Sequence, residues 1–547
     1  MTQRPPNCFH GQRAVLCNTK VTAMLADSAR PGSSGISAAD EVYDVENSVS
    51  DDFTTGQFSM SNALIRRYGD KIMYVPGVGW FMWTGKRWRE DTLGKVNELV
   101  KKTLRRENAR AVELYVEAGK LAQQAEHSSD VQEQQRLHSL AERMTADADK
   151  LKKDATQCQS SYGVDSVLKL TRSVTRIAVT PLELNSNEYL INLRNGTLNI
   201  QTGEFRPPEP GDRNTKLANI QFHPNRYAAF ELRNHAPKWH EHLTLVLPDA
   251  EVREYFQTVM GLSLIGAQPE HIFAILYGNG RNGKGACVIA VRQALGDYAT
   301  EVARDLFTGR SDAHTTSQTD LMGARLAVVD EPEGGTLSES LVKGSTGGGI
   351  HKARKMKQDN IDFPRTWLTV MLTNNLPTVT GTDDGIWDRV KVIEFPHRFR
   401  DGQDKVALYG EEVLAREADG IFMWLYEGWQ KYQKAGKTLT VPQLVKEATA
   451  KYRHDNDRFQ RWLDSRCQLG SGDLFESKTV ELLADYQLWR TRPENVRNAQ
   501  DYGKKEFLNE LRSRGYKYDS KKGRVVGLRL DPRRDVVTRH SGGENAL

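Results

Sequence analysis

The amino-acid sequence predicts an α/β protein: a parallel sheet with a phosphate-binding loop, preceded by a β/helical module and followed by a C-terminal winged helix. Three observations carry that prediction. The apolar run HIFAILY at 271–277 leads directly into GNGRNGKG and then into a helical pattern, ACVIAVRQAL. Two further apolar runs, ARLAVV at 324–329 and WLTVML at 367–372, each end in polar side chains. Near the C-terminus, residues 477–490, 502–514 and 516–530 read as helix, helix and hairpin.

The chain has 547 residues, 38% hydrophobic and 27% charged, which suits a multidomain protein. No run approaches the ~20 apolar residues of a membrane span, and MTQRPPNCFHGQRAV lacks the apolar stretch of a signal peptide. A cytoplasmic protein without a membrane partner is the expectation. The cysteines Cys8, Cys17, Cys158, Cys287 and Cys467 form no CxxC pair, so the sequence encodes neither a cysteine zinc ribbon nor a disulfide framework. Lys plus Arg (76) barely exceeds Asp plus Glu (71), but the excess is local. Residues 511–535 hold nine basic and three acidic side chains, and 343–357 hold five basic and no acidic ones, the footprint expected against phosphate backbones.

Residues 1–50 mix Ser, Gly, Asp and Pro with few large apolar groups and are predicted to be a disordered leader. A small β module and long helices follow at 51–160. There YVPGVGWFMWTGKRWRED alternates aromatics with turn residues, and Trp80, Trp83 and Trp88 are expected in the core of a sheet. Apolar groups at helical spacing in 94–157 predict two helices, the second capped by Ser129 with Gln132. Residues 161–250 form a leader domain whose NEYLINLRNGTLNIQTGEF reads as a hairpin. The nucleotide-binding core is assigned to 251–400, a helical lid to 401–465 and the winged helix to 466–547.

The strand–GNGRNGKG–helix context is what a P-loop requires, because backbone N–H groups must curl around phosphates at a helix N-terminus. Gly278, Asn279, Gly280, Arg281, Asn282, Gly283, Lys284 and Gly285 are therefore the candidate nucleotide-binding residues, with Lys284 on the β- and γ-phosphates. Gly285 stands where this loop usually carries the Ser or Thr hydroxyl for Mg²⁺. Asp330 and Glu331 end the next apolar run, where open parallel sheets bind ligands. Asp330 is assigned to the metal and Glu331 to polarising the attacking water. Asn374 ends the WLTVMLTNN run and suits sensing the γ-phosphate. Arg389, in GIWDRVKVIEF, suits an arginine finger.

With GNGRNGKG, DE, TNN and WDR in this order, the chain resembles superfamily 3 helicases, in particular the helicase half of phage and plasmid primase–helicases. The resemblance covers roughly residues 255–465 and includes SDAHTTSQTDLMGARLAVVDEPEGG, LVKGSTGGGIHKARKMK and TNNLPTVTGTDDGIWDRVKVIEFPHRF. It implies an AAA+-type core using ATP and Mg²⁺, assembled as a homo-hexameric ring that translocates on single-stranded and forked DNA. Lys343, His351, Lys352, Arg354, Lys355 and Lys357 fall where the family's pore-facing segment lies. Two departures stand out: Gly285, and Asp388 where the family commonly has a second Arg beside the finger.

Nothing before the motor matches a primase, so the resemblance implies a separate primase and other replication proteins as partners. In the winged helix, Lys504, Lys505, Lys521, Lys522 and Arg524 are the candidate contacts to duplex phosphates. The function expected is an ATP-dependent replicative DNA helicase of a phage, prophage or plasmid. The rival is a nucleotide-gated, DNA-binding initiator with weak ATPase, which Gly285 makes conceivable.

Overall fold

A computed structural model describes residues 55–228, 230–302, 315–330, 336–354, 360–380, 384–400, 409–472, 474–492 and 501–531. The expected leader at 1–50, Glu331, Lys355 and Lys357 lie outside the described residues.

Helix α1 (Gly56–Tyr68) is followed by an antiparallel sheet of β1 (Ile72–Val75), β2 (Gly79–Trp83) and β3 (Trp88–Glu90). Trp88 is buried and its indole N–H donates to the Pro210 carbonyl at 2.8 Å. Trp80 and Trp83 are half-buried and pack edge-on or tilted against Tyr74 and Trp88. Helices α2 (Lys95–His127) and α3 (Val131–Gln157) form a long hairpin, and α4 (Ser161–Thr171) packs back on α1. Their cap differs from the expectation: Asp130, not Ser129, starts α3, accepting from the Gln132 amide at 2.9 Å.

The residues holding α2 to α3 are small. Ala111, Ala118 and Ala125 on one helix, and Ala141, Ala148 and Ala155 on the other, are buried at seven-residue spacing. Methyl groups at every second turn let the two backbones approach closely along one seam. Tyr115 reinforces the pairing by donating to Asp149 at 2.6 Å.

The leader segment forms three strands rather than a two-stranded hairpin: β4 (Leu190–Leu193), β5 (Gly196–Asn199) and β6 (Phe205–Arg206). It is tied to the core through Arg325, which is wholly buried. Its guanidinium donates to the Leu190 and Leu264 carbonyls and lies 4.8 Å from the Tyr298 ring centroid. Burial holds its pKa below the usual guanidinium value.

At the centre stand β7 (Phe273–Tyr277), β8 (Ala299–Val302), β9 (Leu326–Val329), β13 (Leu368–Thr373) and β15 (Val390–Glu394), all parallel, in the order β15-β7-β13-β9-β8. The central runs of β7 and β9 are continuously apolar because both faces are covered. Ala274 and Leu276 point into one core with Trp239, Phe256 and Trp424, while Phe273 and Ile275 point into the other with Trp367 and Trp387. Two strands peripheral to this sheet, β10 (Thr336–Ser338) and β14 (Thr378–Thr380), pair with each other, and β11 (Ile350–Arg354) with β12 (Asn360–Pro364) makes an antiparallel hairpin.

The C-terminal core is aromatic, uniting Phe459, Trp462, Tyr486, Trp489 and Phe507. Helices Arg458–Arg466, Thr479–Arg490 and Lys504–Ser513 surround it, with short strands at 467–469, 476–478, 517–519, 524–526 and 528–530. The first of these helices begins eight residues before the boundary expected at 466, because Phe459 and Trp462 are part of this cluster rather than of a lid.

Candidate active site

The loop after β7 is shaped by its glycines. Gly280 (φ +76°) and Gly283 (φ +82°) occupy the left-handed region, and Arg281 between them is also at positive φ (+52°). A Cβ on Gly278 would stand 1.9 Å from Asn282 Nδ2 and 2.7 Å from the Phe395 carbonyl oxygen. One on Gly283 would stand 2.6 Å from Val246 Cγ1 and 2.8 Å from His242 Cε1. Gly283 is the N-cap of helix Lys284–Leu295, so the loop delivers its backbone to the positive end of a helix.

Lys284 is nearly buried and its ammonium donates to the Gly278 carbonyl at 3.2 Å and to Asn374 Oδ1. Asn374 follows β13 and Asp330 follows β9, both at the C-terminal edge of the sheet beside the loop. Gly280 to Ala286, Asp330, Leu372 and Asn374 line one cavity of about 350 Å³. That size, a lysine, a helix N-terminus and a neighbouring carboxylate fit the phosphates of a nucleotide. Among the described residues Asp330 is the one carboxylate on this lining. At Gly285 a Cβ would meet nothing within 4 Å, so the position is open as well as lacking a hydroxyl.

Three supports of the loop were not legible in the sequence. His242, buried in the leader domain, donates from Nε2 to the Gly283 carbonyl at 3.2 Å, and burial keeps its pKa below the usual imidazole value. The Phe399 amide donates to the Arg281 carbonyl at 2.8 Å. The buried Asn282 side chain braces the loop, its Nδ2 donating to the Phe395 carbonyl and its Oδ1 accepting from the Lys284 amide, each at 3.4 Å. Asn279 is exposed at the rim. The contacts to Gly283, Arg281 and Phe395 join residues tens to more than a hundred positions apart, for which a single sequence offers no signal.

Arg389 stands elsewhere. It precedes β15, and its carbonyl accepts from the Phe273 amide at the start of β7, so it sits at the N-terminal edge of the sheet. The five residues of β7 between that edge and the loop span roughly 16 Å. Its guanidinium donates to Thr346 Oγ1 at 2.8 Å and to the Lys343 carbonyl at 3.3 Å.

The basic segment divides. Lys352 and Arg354 are exposed on β11, with Lys352 3.9 Å from Asp362 across the hairpin. Lys343 lies on helix Glu339–Thr346, paired with Glu339 at 2.7 Å. His351 departs from the expectation of a DNA contact. Its ring packs on Phe363 and edge-on against Trp367, and burial pushes its pKa down to about 4, so it carries no charge at neutral pH. In the C-terminal unit Lys504, Lys505, Lys521 and Lys522 are exposed, and Glu476 lies 4.0 Å from Lys522 and 3.5 Å from the half-buried Arg524.

Among known families, residues 61–248 match the one described as "D5 N terminal like", a segment that spans the helical module and the leader sheet and ends before the loop. The chain is 28% identical over 300 residues to a "Putative helicase" of Acanthamoeba polyphaga mimivirus, covering 51% of this chain and 30% of that one. It is 24% identical over 391 residues to a "Putative helicase" of Invertebrate iridescent virus 6, covering 65% and 39%. The chain thus spans between three tenths and two fifths of the length of these curated relatives. Among solved structures, the apo C-terminal region of NrS-1 aligns over 64% of this chain and 77% of its own with a TM-score of 0.34 and 13% identity. No helix among the described residues is long and apolar enough to cross a membrane.

Proposed function

We propose that this chain is an ATP-driven DNA helicase of the D5-like kind, with an AAA+-type core that works as a ring during replication of a mobile genetic element. The observation that carries this reading is the convergence of Lys284, Asn374 and Asp330 on one cavity at the C-terminal edge of a five-stranded parallel sheet. Matches to viral proteins named as helicases support the activity, and the match at 61–248 supports the D5-like leader.

In this reading Lys284 and the loop amides hold the β- and γ-phosphates of ATP, and Asn374 senses the γ-phosphate while orienting the lysine. Mg²⁺ supplies charge neutralisation, with Asp330 as the chain's ligand and phosphate oxygens and water as the others. Glu331 polarises the attacking water, and Arg389 stabilises the transferring phosphoryl group on a neighbouring subunit. Lys352, Arg354, Lys355 and Lys357 follow single-stranded DNA through the ring. The C-terminal unit, as a winged helix, contacts duplex phosphates through Lys504, Lys505, Lys521 and Lys522.

Gly285 favours a second reading, a nucleotide-gated initiator that binds DNA but turns over slowly. ATP hydrolysis with and without single-stranded DNA separates the two. A helicase gives DNA-stimulated turnover that Lys284→Ala abolishes, and an initiator gives DNA binding without stimulation. Glu331→Gln should retain ATP binding and lose most turnover.

A further inference from the structure

The solvent face of the first half of α2 carries six cations and one exposed carboxylate, Glu98. Lys95, Lys101, Lys102, Arg105, Arg106 and Arg110 are all exposed, while Val96, Val100, Thr103, Leu104 and Glu107 form the buried face. The acidic residues nearby are already engaged. Glu98 pairs with Lys101 at 2.7 Å, buried Glu107 with Arg67 at 3.2 Å, and Glu113 with Arg106 at 3.5 Å. Lys102 and Arg105 have no carboxylate within 4.0 Å among the described residues.

Where this face meets the start of α4 there is a cavity of about 590 Å³, lined by Asn97, Lys101, Arg105, Ser160, Ser161 and Asp165 among others. That volume is in the range that holds a small organic ligand or one nucleotide unit. Tyr162, which follows the lining residue Ser161 in sequence and stands outside the lining itself, is 77% exposed, an unusual position for an aromatic side chain that no core requires. Cations along a helix face beside an exposed aromatic make the combination that binds single-stranded nucleic acid without reading sequence, phosphates on the cations and a base on the ring. Asp165 is the one carboxylate on the lining, and with Lys101 paired to Glu98 at the surface, Arg105 is the lining cation that no carboxylate approaches within 4.0 Å among the described residues.

We propose that this face of the helical module is a second single-stranded DNA site, outside the motor, in which Lys101 and Arg105 hold backbone phosphates and Tyr162 stacks on a base. Lys102 and Arg106 extend the track along α2. From Lys95 to Arg110 the helix rises roughly 22 Å, long enough for several nucleotides of extended strand. The site does not depend on nucleotide hydrolysis, so it stands or falls separately from the motor.

The test is binding of a fluorescent oligothymidine to the full chain, without nucleotide, across a salt series. Lys101→Glu with Arg105→Glu should weaken binding at least tenfold at low salt. The double change should also lower the slope of log affinity against log salt by about 1.4, the loss of two single-strand phosphate contacts. Tyr162→Ala should weaken binding about five-fold or more with the slope unchanged, as removal of a stacking contact does. DNA-free ATPase and melting temperature should match the parent in both. Wild-type affinity and slope in the charge variant, or wild-type affinity in Tyr162→Ala, overturns the proposal; this includes the case in which the face instead serves an acidic protein. Lys284→Ala, which disables the motor, should leave the oligothymidine affinity and its salt slope in place.

Discussion

Arg389 Nη1 donates a 2.8 Å hydrogen bond to Thr346 Oγ1, so this arginine is anchored on the helix that leads into the basic hairpin. The bond sits at the N-terminal edge of the sheet, roughly 16 Å of strand away from its own loop. That is farther than an arginine side chain reaches, so Arg389 does not line the cavity of its own chain.

For Arg389→Ala the expected outcome is near-normal ATP binding with turnover reduced about 10³-fold. Mixing Arg389→Ala with Lys284→Ala subunits, each inactive alone, should restore part of the ATPase, because some interfaces then pair an intact loop with an intact finger. A side chain that only braces Thr346 within its own subunit gives no rescue, and that result in mixtures shown to form rings would remove Arg389 from the catalytic set.

Two glycines two positions apart, Gly283 and Gly285, should respond in opposite ways. Gly285→Ser adds a Cβ that meets nothing within 4 Å and supplies the missing hydroxyl, so stability should hold within about 0.5 kcal/mol and turnover at limiting Mg²⁺ should rise. Gly283→Ala forces a Cβ against Val246 and His242 at φ +82° and should abolish nucleotide binding. Nucleotide titrations with a fluorescent ATP analogue, with thermal melts beside them, read both. An unchanged Mg²⁺ dependence in Gly285→Ser would separate this position from the metal.

His351 gives the hairpin base a pH dependence. Its folded pKa of about 4 lies below the ordinary 6.5, so the unfolded chain takes up a proton that the folded chain refuses. Stability is therefore fully present above pH 6.5 and is lost as pH falls toward 4. Between pH 7 and pH 5 the loss should be about 1 kcal/mol, allowing for partial exposure. His351→Phe should shrink the difference in melting temperature between those two pH values. An equal difference in parent and variant would assign the acid sensitivity to other groups.

Ala148 lies in the seam between α2 and α3, fully buried. Ala148→Leu overpacks that seam and should destabilise the hairpin by about 1–3 kcal/mol. Val112→Ala, on the exposed face of α2, should change stability by no more than about 0.5 kcal/mol. Hydrogen exchange of the hairpin amides distinguishes the two; parity between them would mean the seam is not close-packed.

The sequence by itself determined the loop, the strands that flank it and the order in which Lys284, Asp330 and Asn374 appear. These are local signals, since a strand passing into glycines and a helix is written in consecutive residues, and both-face burial leaves continuous apolar runs. It also marked α2 and α3 by period, yet not the alanine seam, because pairing of Ala111, Ala118 and Ala125 with the opposite helix is a long-range choice. Strand β8 escaped notice because ATEV is short and half polar. Only the tertiary structure decided where side chains went. It brought Asn374 onto Lys284, His242 beneath Gly283 and Arg389 to the far edge, and it drew His351 into an aromatic cluster while its basic neighbours Lys352 and Arg354 stayed outside. A charge run in sequence reads uniformly, whereas a β-strand alternates faces, so neighbouring residues of one run were sent to opposite environments.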